Sequence, residues 1–153
     1  AAASSIGSAK LYRIDTSTSS IKETMSWDNI HYFEYGGSSP CTGLACFEED
    51  IATVGEDGRL VLLTARQKRP VRRIEEADSC SLRSVCFLKH NEVLTGNLRG
   101  QMKVWDLKSS SDKPTSTFML SGEQVPYQSY ENLLAIISSK FESSLFFPQH
   151  LQA

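Results

Sequence analysis

Residues 52–64 read "ATVGEDGRLVLLT". A short apolar run meets Gly55-Glu56-Asp57-Gly58, and a second apolar run follows. Glycines flanking two carboxylates suit either a phosphate or metal loop or a tight turn between strands. A phosphate loop needs its glycines to lead into a helix N-terminus, but "RLVLLT" is rich in β-formers. A calcium loop needs several more oxygen ligands than this stretch supplies. The reading is a hairpin, in which Gly58 provides the positive φ that the turn requires.

Working outward, the pattern repeats. "GLACFEEDIATVGEDGRLVLLT" (Gly43–Thr64) aligns with "RSVCFLKHNEVLTGNLRGQMKVWD" (Arg83–Asp106) when two extra residues are allowed in the middle. Cys46-Phe47 then falls over Cys86-Phe87, Thr53 over Thr95, Gly58 over Gly100 and Leu63 over Trp105. The spacing of Gly58 and Gly100 lies within the period of about 40–45 residues of a four-stranded propeller blade. A partial third copy, "SSIGSAKLYRI", places Gly7 over Gly58. Its longer spacing assigns the excess to a polar loop in "SSIKETMSWDNIHYFEYGGSSP" (Ser19–Pro40).

Each whole unit contains four predicted strands. They are 43–47, 51–54, 59–64 and 71–75 in the first, and 82–87, 93–95, 101–106 and 115–120 in the second. The alternation after each glycine predicts strands with one buried face. "VWD" at Val104–Asp106 is the Trp-Asp ending of a WD repeat, which together with the period and the hairpin glycine carries weight. The expected fold is all-β, a partial WD40-type β-propeller. Residues 1–14 end a preceding blade, 15–40 are a connecting strand and loop, and 41–78 and 79–122 are blades. Residues 123–153 form a divergent tail.

WD blades commonly join a His, a Ser or Thr, a turn Asp and the Trp in one hydrogen-bonded network. The first unit has Thr53 and Asp57, but Leu63 stands for the Trp. The second has Thr95, Trp105 and Asp106, but Arg99 stands for the turn Asp. Neither has a Gly-His pair before its first strand. The blades are therefore expected to rely on apolar packing, with Trp105 needing another acceptor. The residues expected to be structural are Gly7, Thr53, Asp57, Gly58, Thr95, Gly100, Trp105 and Asp106.

The chain has 153 residues, enough for one ordinary domain. Its net charge of −2 gives no field favouring nucleic acid or an acidic membrane. No apolar run approaches the roughly 18 residues that span a bilayer. The N-terminus lacks Met and any signal-peptide order, so the chain reads as an interior piece of a longer intracellular protein. Cys41, Cys46, Cys80 and Cys86 have no zinc-knuckle spacing and read as reduced thiols, Cys46 and Cys86 as buried core. His31, His90 and His150 lie in unrelated contexts with no nucleophile placed by motif. No catalytic residue, cofactor, metal or small-molecule substrate is therefore expected. "RQKRPVRR" (Arg66–Arg73) reads as a solvated strand connection rather than an import signal or an acidic-partner contact.

A closer resemblance is carried by "PCTG", "TVGEDGR", "ADS", "GQMKVWD" and "LSGEQVP", and covers about residues 1–127. These stretches resemble the animal WD-repeat nucleoporins. The resemblance implies a subunit of the Y-shaped outer-ring complex of the nuclear pore, attached through the helical-solenoid nucleoporin of the short arm. It also implies recruitment of that complex to kinetochores in mitosis. The alternative is an adaptor such as a substrate receptor of a cullin-type ubiquitin ligase. Such receptors carry Trp-Asp-x-Arg, whereas "WDLK" puts Lys108 at the Arg position, without the planar Arg fork. Beyond about Gln128 the likeness stops. Leu133, Ile137, Phe141 and Leu145 would share a helical face, but the favoured reading is a truncated or alternatively spliced end. Two whole units and a broken one are expected to leave an open, aggregation-prone arc.

Overall fold

The computed structural model describes residues 1–119, and the structure is all-β there. The strands are β1 (Ala2–Ala3), β2 (Ala9–Asp15), β3 (Ser20–Trp27), β4 (Cys41–Phe47), β5 (Asp50–Gly55), β6 (Leu60–Thr64), β7 (Gln67–Ile74), β8 (Leu82–Lys89), β9 (Glu92–Asn97), β10 (Gln101–Asp106) and β11 (Ser116–Met119). They form three antiparallel sheets in the orders β1-β2-β3, β4-β5-β6-β7 and β8-β9-β10-β11. Each sheet is a meander of consecutive strands, as tight turns dictate. The candidate helix in the tail lies outside the described residues.

Two clusters of buried side chains join neighbouring sheets. Ala9, Trp27 and Ile30 pack on Ile51, Val61 and Leu63. Ala52, Val54, Leu60 and Leu62 from the opposite face of the middle sheet pack on Leu82, Val85, Val93 and Trp105. The alternation in "LVLLT" is therefore strict, with Leu60 and Leu62 on one face and Val61 and Leu63 on the other. Both faces are buried, which corrects the expectation of a single buried face. A strand between two stacked sheets reads as a continuous apolar run for this reason. Each large side chain so buried contributes roughly 1.5–3 kcal/mol.

The segment read as a polar loop holds β3, paired with β2 from Ala9↔Trp27 to Asp15↔Ser20. Its residues Ser20–Thr24 are exposed because β3 is the outer strand, so its polarity resembled that of a loop. At its buried end, the Trp27 indole N–H donates to the Gln67 carbonyl on β7 at 3.2 Å. "RQKRPVRR" likewise lies mainly in an outer strand, β7, with Arg66 in the turn that precedes it. Pro70, which cannot donate to a ladder, sits on this edge strand. Cys46 is exposed and Cys86 half-buried, contrary to the reading of both as buried core.

Candidate functional site

Thr53, Asp57, Gly58, Thr95 and Gly100 lie toward the β5–β6 and β9–β10 hairpins and the segments entering β4 and β8. Gly7 lies in the β1–β2 turn, Trp105 reaches Thr95 from β10, and Asp106 lies at the opposite end of β10. Gly58 has φ +74°, and a Cβ there would lie 2.2 Å from the Asp78 carbonyl oxygen. Gly7 has φ +68° and the same 2.2 Å relation to the His31 carbonyl. The backbone bonds match too: the Gly7 carbonyl accepts from Ile30 and His31 N–H, and the Gly58 carbonyl from Asp78 N–H. His31 and Asp78 therefore occupy corresponding places ahead of successive sheets. Gly100, with φ +77°, ends the third hairpin.

His31 carries the first junction. Its Nδ1 lies 3.0 Å from Asp57 Oδ1 and its Nε2 3.0 Å from Thr53 Oγ1. The carboxylate can only accept, so Nδ1 carries a proton, while Nε2 meets the Thr53 hydroxyl, which also reaches the Val61 carbonyl at 3.4 Å. Asp57 also accepts from the backbone N–H groups of Tyr32 (3.0 Å) and Arg59 (3.1 Å) and from Arg59 Nη1 (3.2 Å). Asp57 N–H donates to Ser39 Oγ at 3.0 Å. Arg59 extends the network, donating through Nη1 to the Tyr32 carbonyl and through Nε to Glu75. Burial alone would raise the Asp57 carboxyl, but the hydrogen bond and charge of His31, with the Arg59 donors, outweigh it. They hold the carboxyl below its ordinary value.

The network contradicts the expectation that these blades lack their histidine. His31 stands ten residues ahead of Cys41 rather than in a Gly-His pair, which hid it. Gly55 was also missed. Its role is space, since a Cβ there would lie 2.6 Å from both Asp57 Oδ1 and His31 Nδ1.

The second junction uses different chemistry. Trp105 Nε1 donates to Thr95 Oγ1 at 2.9 Å, so its acceptor is the threonine of its own sheet. Asp78, in the place of His31, accepts from Asn97 Nδ2 at 3.0 Å and lies 2.8 Å from Lys103 Nζ. Asn97 Oδ1 caps the hairpin by accepting from the backbone N–H of Arg99 and of Gln101, both at 2.9 Å. The cap that Asp57 provides thus moves two residues earlier, which explains how Arg99 is tolerated at the aspartate position. Asp106 accepts from Lys108 N–H at 2.9 Å, closing the turn after β10.

Thr53, His31 and Asp57 are ordered like a nucleophile, base and carboxylate. Thr53 and His31 are both 0% exposed, however, so no substrate reaches the hydroxyl. A cleft of about 300 Å³ lies at the opposite ends of the strands, beside Asp50, His90 and Asn91, and touches none of the three. Among the described residues no group of three or more His, Cys, Asp or Glu could hold a metal ion. The chemistry available here is cross-linking of neighbouring sheets.

Stacked antiparallel sheets, two of them entered through a buried His or Asp that meets the preceding hairpin, define blades of the WD-repeat β-propeller class. The chain is similar to Nup43 proteins: it is 38% identical over 130 residues to human "Nucleoporin Nup43" and 36% identical over 130 residues to the mouse protein. "Nuclear pore complex protein nup43" of Dictyostelium discoideum is 26% identical over 104 residues. The human and mouse matches cover 82% of the chain and 34% of each relative, so the chain spans about a third of their length. No protein-family model matches the chain.

Proposed function

We propose that the chain is part of a non-catalytic WD-repeat scaffold subunit of the nuclear pore complex outer ring, supporting nucleocytoplasmic transport. The observation that carries this reading is the Nup43 similarity, which runs through most of the chain rather than one repeat. In this reading, residues 41–78 and 79–122 are blade units. Gly7, Thr53, Asp57, Gly58, Thr95, Gly100, Trp105 and Asp106 hold the hairpins and junctions of the stack. The work of the molecule is presentation of a rigid surface, without cofactor or small-molecule substrate. The burial of Thr53 supports that assignment, because the triad-like geometry has no route to solvent. The partners are proteins of the Y-shaped outer-ring complex, with the short-arm helical-solenoid nucleoporin as the attachment point. The site of action is the pore in interphase and the kinetochore in mitosis.

Affinity purification of the tagged product of the native gene tests this. Recovery of outer-ring nucleoporins in near-equal amounts supports the proposal. Recovery of a cullin and its adaptor without nucleoporins overturns it.

A further inference from the structure

The segment Tyr32–Ser38, "YFEYGGS", projects from the entry to β4 as a closed loop. Tyr32 and Ser38 form an isolated antiparallel bridge. Phe33 N–H donates to the Gly37 carbonyl and Gly36 N–H to the Phe33 carbonyl, both at 3.0 Å. The base of the loop is fixed by the first junction, since Asp57 accepts from Tyr32 N–H and Arg59 donates to the Tyr32 carbonyl. Phe33 and Tyr35 stack with ring centroids 5.2 Å apart and planes 5° from parallel. Yet Tyr35 is 85% exposed, more than any other large apolar side chain of the described residues. A Cβ at Gly36 or Gly37 would meet nothing within 4 Å, so the tip stands clear of the fold. An ordered aromatic pair held in water loses little conformational freedom on binding and is typical of an interface anchor.

Beside the loop, two guanidinium groups lie over the Tyr32 ring, Arg59 at 4.1 Å and Arg73 at 5.8 Å from its centroid. Arg59 is bonded to Asp57 and Glu75. Arg73 is different: it is half-buried, has no carboxylate within ion-pair distance among the described residues, and its Nε is buried without a hydrogen-bond partner there. A half-buried guanidinium without an ion-pair partner there is a ready donor to a carboxylate approaching from solvent. Glu34, exposed at the loop tip, gives the opposite sign there.

We propose that the Phe33–Tyr35 pair and Arg73 form a docking surface for an extended segment of a partner protein. That segment places an apolar or aromatic side chain on the rings and a carboxylate on Arg73. A neutral or basic residue suits the position beside Glu34. The proposal deepens the scaffold reading and rests on it for the existence of a protein partner.

The test is selection from a random linear peptide library on the tagged product of the native gene, purified from cells. Enriched peptides should pair Asp or Glu with Phe, Tyr, Trp or Leu. Binding of a selected peptide should fall about tenfold or more in Tyr35→Ala and in Arg73→Glu, each checked for an unchanged melting transition. Arg73→Glu should regain affinity for the same peptide with its acid changed to Lys. Failure of acidic-apolar peptides to enrich, or binding that neither substitution weakens, overturns the proposal. Absence of nucleoporins from the wild-type purification would instead overturn the pore assignment, leaving the peptide result to stand separately.

Discussion

At the scale of single residues, the hairpin glycines and the buried aspartate make separable predictions. Gly58→Val forces a β-branched side chain into positive φ and onto the Asp78 carbonyl. Strain of this kind costs on the order of 1–3 kcal/mol before the clash is counted. Gly36→Ala, also at positive φ but with open space around it, should cost clearly less. Denaturant unfolding of the two variants should show that order. Asp57 has a folded-state carboxyl below its ordinary value, so its contribution is fully present above the unfolded value of about 4. That contribution is lost as pH falls below about 4 and through the folded value. Asp57→Asn should therefore destabilise at neutral pH, by about 3–5 kcal/mol if it behaves as a broken buried pair. It should also flatten the loss of stability in the acid limb, which melting curves at a series of pH values would measure. Among the thiols, burial pushes Cys41 up to about 11, whereas Cys46 is exposed. Maleimide at pH 8 should label Cys46 first and Cys41 slowly, since the thiolate is the nucleophile.

At the scale of elements, the middle and outer strands differ in kind. β5 and β6 are buried on both faces between neighbouring sheets, while β3 and β11 expose most of their residues. Amide hydrogen exchange should therefore be slowest in β5 and β6 and fastest in β3 and β11. Equal protection across a sheet would contradict the stacked arrangement. The same contrast explains what the sequence made legible. The repeated glycines, the apolar runs and "VWD" report local turn chemistry and central-strand burial, both of which are short-range. A connecting strand was expected within residues 15–40 but its bounds were not legible, because an outer strand needs no apolar face and "SSIKETMSW" carries the composition of a loop. The His31 network was missed because its members come from places 22 to 26 residues apart that only the fold brings together. The substitution of Asp78, Asn97 and Lys103 at the next junction was equally hidden. It preserves the cross-link while changing every residue type a motif would search for.

At the scale of the whole molecule, two chemically different buried junctions join three sheets whose inner faces leave no room for a reacting substrate at Thr53. Surface features of the described residues include an ordered aromatic loop and the basic outer strand β7, whose half-buried Arg73 has no ion-pair partner there, and these suit contact with other proteins. This surface is proposed to belong to a nuclear pore scaffold. The most direct test is imaging the fluorescently tagged product of the native gene alongside a nuclear-pore marker. A punctate nuclear rim coincident with the marker is expected in interphase. A diffuse signal that leaves the rim unlabelled, in cells whose pores are intact, would contradict it.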